Sequence, residues 1–123
     1  MLTIGAKQLA AIEDAVFQER LGRVLGKHFP ERKTALGANF SRMVAAGIER
    51  ARGHGFEAPE DISKYVMLEF ALHPGFDQDP SLAWAAELLA APDIPTPAMR
   101  MQLLFDRALD SLRPDAGLMP SDV

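Results

Sequence analysis

The groups able to take a proton, hold a metal or attack a carbon are scattered thinly along this chain. His28, His54 and His73 fall in three different inter-helix regions. No two stand three or four residues apart, the spacing that puts two metal ligands on one helix face. All three are expected to be solvent-exposed or to stand at helix C-termini, where a histidine is favoured by the negative helix end. The densest run is His73-Pro74-Gly75-Phe76-Asp77-Gln78-Asp79-Pro80. His73, Asp77 and Asp79 carry donors for a divalent ion, but the run lacks the twelve-residue oxygen-rich loop and closing glutamate of a calcium site. Asp79, directly before Pro80, is better suited to cap a helix. No metal and no cofactor is expected.

Glu69 interrupts an otherwise apolar segment and is the strongest candidate for a buried carboxylate. With a raised proton affinity it would be a general base; in a buried or half-buried ion pair with an arginine from the preceding helix, or simply at a rim position, it would be structural. No second catalytic group stands near it in the sequence, which favours these structural roles. Ser41, Ser63 and Ser81 lie outside any Gly-x-Ser-x-Gly elbow. Gly5, Gly22, Gly26, Gly37 and Gly47 are dispersed in helical segments and form no phosphate-cradling loop. The chain has no cysteine, so there is no thiol nucleophile, thiolate zinc site or disulfide. The expectation is a protein that is not an enzyme.

The elements that would position these residues are helices. The chain has 123 residues, 48% hydrophobic and 24% charged, an ordinary globular composition for one domain. Thr3 is a plausible cap for a first helix reaching Lys27 or His28. Its apolar residues fall on two sides: Ala6, Ala10, Phe17, Leu21, Val24 and Leu25 on one, Leu9, Ile12 and Val16 on another. A second helix spans about Arg32 to Arg52, with Leu36, Phe40, Met43, Val44, Gly47, Ile48 and Ala51 at helical spacing, and Gly53-His54-Gly55 stops it. Pro59 opens a third, apolar nearly all round from Ile62 to Leu72 and therefore the central one. Asp79-Pro80 starts a short fourth helix, and Thr96-Pro97 a fifth that runs to about Leu112.

No run alternates with period two and no repeat is visible. The expected fold is all-α, about five helices in a single compact bundle or orthogonal array over residues 1–112. Residues 113–123, rich in Pro, Gly, Asp and Ser, are expected to form a flexible tail. No stretch approaches the ~18 apolar residues of a membrane span. Met1–Lys7 lacks the basic start and apolar run of a secretory leader, so the cytoplasm is the expected compartment.

Charge divides the chain. Residues 1–56 carry a net +4 and residues 57–123 a net −8, within an overall −4. The halves either complement each other internally or present surfaces of opposite sign. Arg20, Arg23 and Lys27 share one helix face, near Arg32 and Lys33, and could contact phosphates. Against nucleic acid stand the acidic balance of the whole chain and the absence of a legible recognition turn.

Two candidate partner-binding surfaces remain. One is the leftover stripe of the first helix, Leu9, Ile12 and Val16, continued by Arg20, Arg23 and Lys27. The other is the loop carrying Phe76 and Asp77. The stripe is favoured, because Phe76 between turn residues has the setting of a core plug. The stripe is also a possible homodimer contact.

The pattern Leu2-Thr3-Ile4…Gln8…Phe17…Leu21…His28-Phe29-Pro30…Gly47-Ile48…Ala51…Gly55…Glu60-Asp61-Ile62…Phe70…Phe76-Asp77…Pro80…Trp84-Ala85…Leu88-Leu89 resembles a group of small uncharacterised bacterial proteins. These are encoded beside type VI secretion spike, PAAR-repeat and effector genes. The likeness covers residues 2 to about 90 and consists of apolar anchors, caps and turns, so it implies a shared fold and gene context and carries over no catalytic residue. The chain departs from the group at His54-Gly55-Phe56 and at Glu69. The resemblance implies a cytoplasmic adaptor or chaperone that binds an effector or spike protein. An immunity protein that neutralises a cognate toxin is the first alternative, its acidic half mimicking the substrate of a basic nuclease. A nucleic-acid-binding helical domain is the second.

Overall fold

A computed structural model describes residues 5–112. Thr3 as a cap and the tail expected at 113–123 both lie outside the described residues. Six α-helices follow one another, with no strand among the described residues: α1 Ala6–His28, α2 Pro30–Leu36, α3 Asn39–Gly53, α4 Pro59–Ala71, α5 Ala83–Ala90 and α6 Pro97–Leu112. Two short 3-10 turns, Phe76–Gln78 and Pro80–Leu82, link α4 to α5. The all-α fold agrees with the periodicity of the sequence.

The helix expected over Arg32–Arg52 is two helices, which raises the number from about five to six. Gly37 takes φ 52° and ψ −122°, a conformation open to glycine and strained for any side chain, and the chain turns there. Pro30 opens α2 at its first position and Phe29 separates it from α1. Other boundaries follow their local chemistry. Asp79 accepts hydrogen bonds from the Ser81 amide at 2.9 Å and hydroxyl at 2.8 Å, opening the turn before α5. Thr96 Oγ1 accepts from the Met99 amide at 3.1 Å and caps α6.

The core gathers on α4, whose neighbours are α1, α3 and α6. Ile62, Tyr65, Val66, Leu68 and Phe70 of α4 are buried on nearly every side, as a helix without a polar face must be. Two aromatic clusters clasp it. Phe70 meets Phe40 edge-on at 5.4 Å and Phe29 at 5.8 Å, tying α4 to α3 and to the α1–α2 junction. Tyr65 meets Phe76 at 5.4 Å and Phe56 at 6.2 Å, tying it to the flanking loops. Each such pair adds ~0.5–1.5 kcal/mol beyond the area it buries.

α1 enters this core late. Leu21 and Leu25 are buried and Phe17 packs against the core, but every residue from Gly5 to Val16 is exposed. Ala6, Ala10 and Val24, expected on the core side, face solvent instead: the core ends near Phe17, and Val24 lies off the Leu21–Leu25 line.

Candidate functional site

Two constellations deserve comparison, one buried and polar, the other exposed and amphipathic. The buried one surrounds Glu69, which is wholly inaccessible. Arg50 of α3 reaches over it with two parallel bonds, Nε to Oε2 at 2.6 Å and Nη2 to Oε1 at 3.0 Å. This planar fork satisfies both carboxylate oxygens. The bond to Glu69 holds the Arg50 proton more tightly than usual. Gly47 makes the arrangement possible, since a Cβ there would stand 2.5 Å from Glu69 Oε1 and 3.1 Å from Val66. Glu69 is thus the structural partner of an arginine one helix back, with both oxygens occupied.

Next to it lies a second polar group. His54 Nε2 meets Asp77 Oδ2 at 2.7 Å, and the Tyr65 hydroxyl donates to the same oxygen at 3.4 Å. Burial pushes the Tyr65 phenol well above its ordinary value, and the Asp77 charge pushes it further. Phe76 is fully buried against the Tyr65 ring. The loop expected as a possible partner surface is therefore folded inward: Phe76 plugs the core and Asp77 fastens the loop to the end of α3. Neither side chain is available to anchor a partner.

Asp79 bonds the other histidine, His73, at 2.8 Å. The two aspartates of the run thus serve different histidines, and no three His, Cys, Asp or Glu residues among the described ones converge as a metal site. The sequence offered no signal for the His54–Asp77 pair, whose members stand 23 residues apart.

The exposed constellation is the outer face of α1. Leu9, Ile12 and Val16 are 49%, 51% and 40% exposed. Arg20, Arg23 and Lys27 follow them at steps of three and four, so all six share one face. Arg23 bonds Glu19 on the helix surface. The opposite flank is braced by Asp14, paired with Arg52 of α3 at 2.9 Å, and by Gln18, which donates to the Ser41 carbonyl at 3.4 Å. Beside the face lies a groove of about 410 Å³ between α1 and α3, floored by Gly22, Phe40 and Val44 and edged by Arg23 and Lys33. The structure places six of the expected partner-binding residues together on a surface and sends the remaining two, Phe76 and Asp77, inward.

No protein-family model, curated protein or solved structure matches the chain. The residues and their geometry therefore carry the functional reading.

Proposed function

We propose that this chain is a non-enzymatic, protein-binding accessory protein whose contact surface is the outer face of α1. In the setting implied by the sequence resemblance, it acts as an adaptor or chaperone for an effector or spike component of a type VI secretion cluster. One observation carries the reading: three turns of α1 keep every residue exposed while displaying Leu9, Ile12 and Val16 in a row that leads into three cations. Three large aliphatics in a row on one exposed helix face have the pattern of a contact site, their apolar centre bordered by charge. A helix face laid in a partner's groove is read through side chains at this spacing. The polar groups of the interior are consistent with it, because Arg50–Glu69 and His54–Asp77 are occupied with one another.

The net −8 of residues 57–123 supports a second reading, an immunity protein whose acidic surface blocks a basic toxin. Replacing Ile12 and Val16 together with Asp tests the first reading, with helicity and partner capture from the native host measured on the same preparation. A folded variant that loses the captured effector or spike protein is the expected result. A folded variant that retains it refutes the α1 assignment. Deleting the gene separates the roles, since loss of an immunity protein poisons the cell and loss of an adaptor only halts delivery.

A further inference from the structure

The groove of about 410 Å³ between α1 and α3 has the size of a ligand site. It opens where α1 carries two glycines one turn apart. At Gly26 the missing side chain makes room for Lys33 of α2, whose Cδ would stand 2.9 Å from a Cβ there. At Gly22 nothing in the chain demands glycine, since a Cβ would meet only Phe40 Cε2 at 3.9 Å, an ordinary contact. Alanine would fit and would strengthen the helix. What glycine provides at this position is depth above the floor of Phe40 and Val44.

The groove also has a charge of its own. The charged side chains lining it are Glu19, Arg23 and Lys33. Arg23 is bonded to Glu19, so those two compensate each other. The Lys33 amine has no partner among the described residues. An apolar floor beside one uncompensated cation is complementary to a carboxylate joined to an apolar group. Arg23 belongs both to the rim of the groove and to the outer face of α1, so the two surfaces are continuous.

We propose that the groove receives an anchor from the partner polypeptide: a large apolar side chain seated over Phe40 and Val44, with a neighbouring carboxylate of the same segment paired to Lys33. This rests on the reading of α1 as a protein-contact face and names what the partner brings to it, an apolar segment carrying acid. Interfaces concentrate their binding energy in anchors that fill such pockets.

The test uses the isotope-labelled full chain, NMR, and two probes: phenylbutyrate and its neutral amide, phenylbutyramide. Each has about a dozen heavy atoms, so a dissociation constant on the order of millimolar is expected for the acid. Saturable shifts should centre on the amides of Gly22, Ser41 and Val44. The neutral probe should bind about 3-fold more weakly or worse, the worth of one exposed ion pair. Lys33→Met should erase that difference, and Gly22→Leu, which fills the groove, should abolish binding of both probes with helicity unchanged. No saturable shift in the groove overturns the proposal. So does a neutral probe that binds as tightly as the acid, or a Lys33→Met protein that still prefers the acid. Phenylbutyrate binding tighter than about 10 µM also overturns it, because so strong a grip on so few atoms marks a small-molecule site. Capture of the effector or spike protein then separates the two readings, and loss in both the stripe and the groove variants is the expected result. Capture lost in Ile12→Asp/Val16→Asp but kept in Gly22→Leu and Lys33→Met refutes the groove and leaves the stripe standing. Capture lost only in the groove variants refutes the stripe and leaves the groove, and capture kept in every variant refutes both.

Discussion

Replacing Arg50 with methionine removes both donors from a carboxylate that has no access to water. Breaking a buried pair in this way costs about 3–5 kcal/mol, because one charge is left uncompensated. The Arg50 side chain is 41% exposed, so water screens part of the attraction and can reach the gap. The expected loss is therefore about 3 kcal/mol at pH 7, a large part of the ~5–15 kcal/mol that holds a domain folded.

Urea unfolding followed by circular dichroism at pH 7 measures the loss. The double variant Arg50→Met/Glu69→Leu should recover most of the loss, since replacing a whole buried pair by apolar groups is close to neutral. A single variant within about 1 kcal/mol of wild type at pH 7 refutes the reasoning, as does a double variant no more stable than the single one.

Gly47→Ala should lower the melting temperature despite the ~1 kcal/mol that alanine gains in helix propensity, because the new Cβ displaces Glu69 from Arg50; a raised melting temperature would count against the packing described. His73 holds its proton more tightly than usual, through the Pro74 carbonyl and then Asp79, so its contribution to stability is present below pH 6.5 and lost as pH rises through the raised folded value. Asp79 is held below the ordinary 3.8 by the Ser81 hydroxyl and amide and then by His73, so its contribution is present above that pH and lost as pH falls through the depressed value. Asp79→Asn should move the His73 titration, read by NMR, part of the way back toward 6.5, and an unmoved midpoint would show that the pair does not form in solution.

Much of the architecture was legible because it depends on local chemistry. Pro59 and Pro97 mark helix starts that survive in the fold, Asp79-Pro80 opens the 3-10 turn before α5 rather than α5 itself, and the apolar run from Ile62 correctly marks α4 as the buried centre. The break at Gly37 escaped notice because apolar residues keep helical spacing across it, and a backbone angle leaves no trace in such a pattern. Glu69 was readable as a buried carboxylate awaiting an arginine, and Arg50 supplies it. His54 and Asp77 were not readable as a pair, since only the tertiary fold brings a helix end to a distant loop. On α1 the two-sided apolar pattern correctly marked surplus hydrophobic surface. It did not show where the core stops along the helix.

The length of α1 beyond the core has a consequence for how binding strength can be set. The helical residues Ala6 to Val16 form a segment shorter than the ~12–15 residues that marginally sustain an isolated helix in water. Its turns are propagated outward from Leu21 and Leu25 and from the Asp14–Arg52 pair, and at the N-terminal end the Gly5 amide donates to Gln8 Oε1. Leu9, Ile12 and Val16 stand in one row only while that propagation holds, so the fraction of time the row exists would multiply directly into the affinity of the proposed contact. If this face is the contact surface proposed above, positions such as Lys7 and Ala11, which need touch no partner, become tuning positions: a poorer helix former there loosens binding without altering a single contact residue.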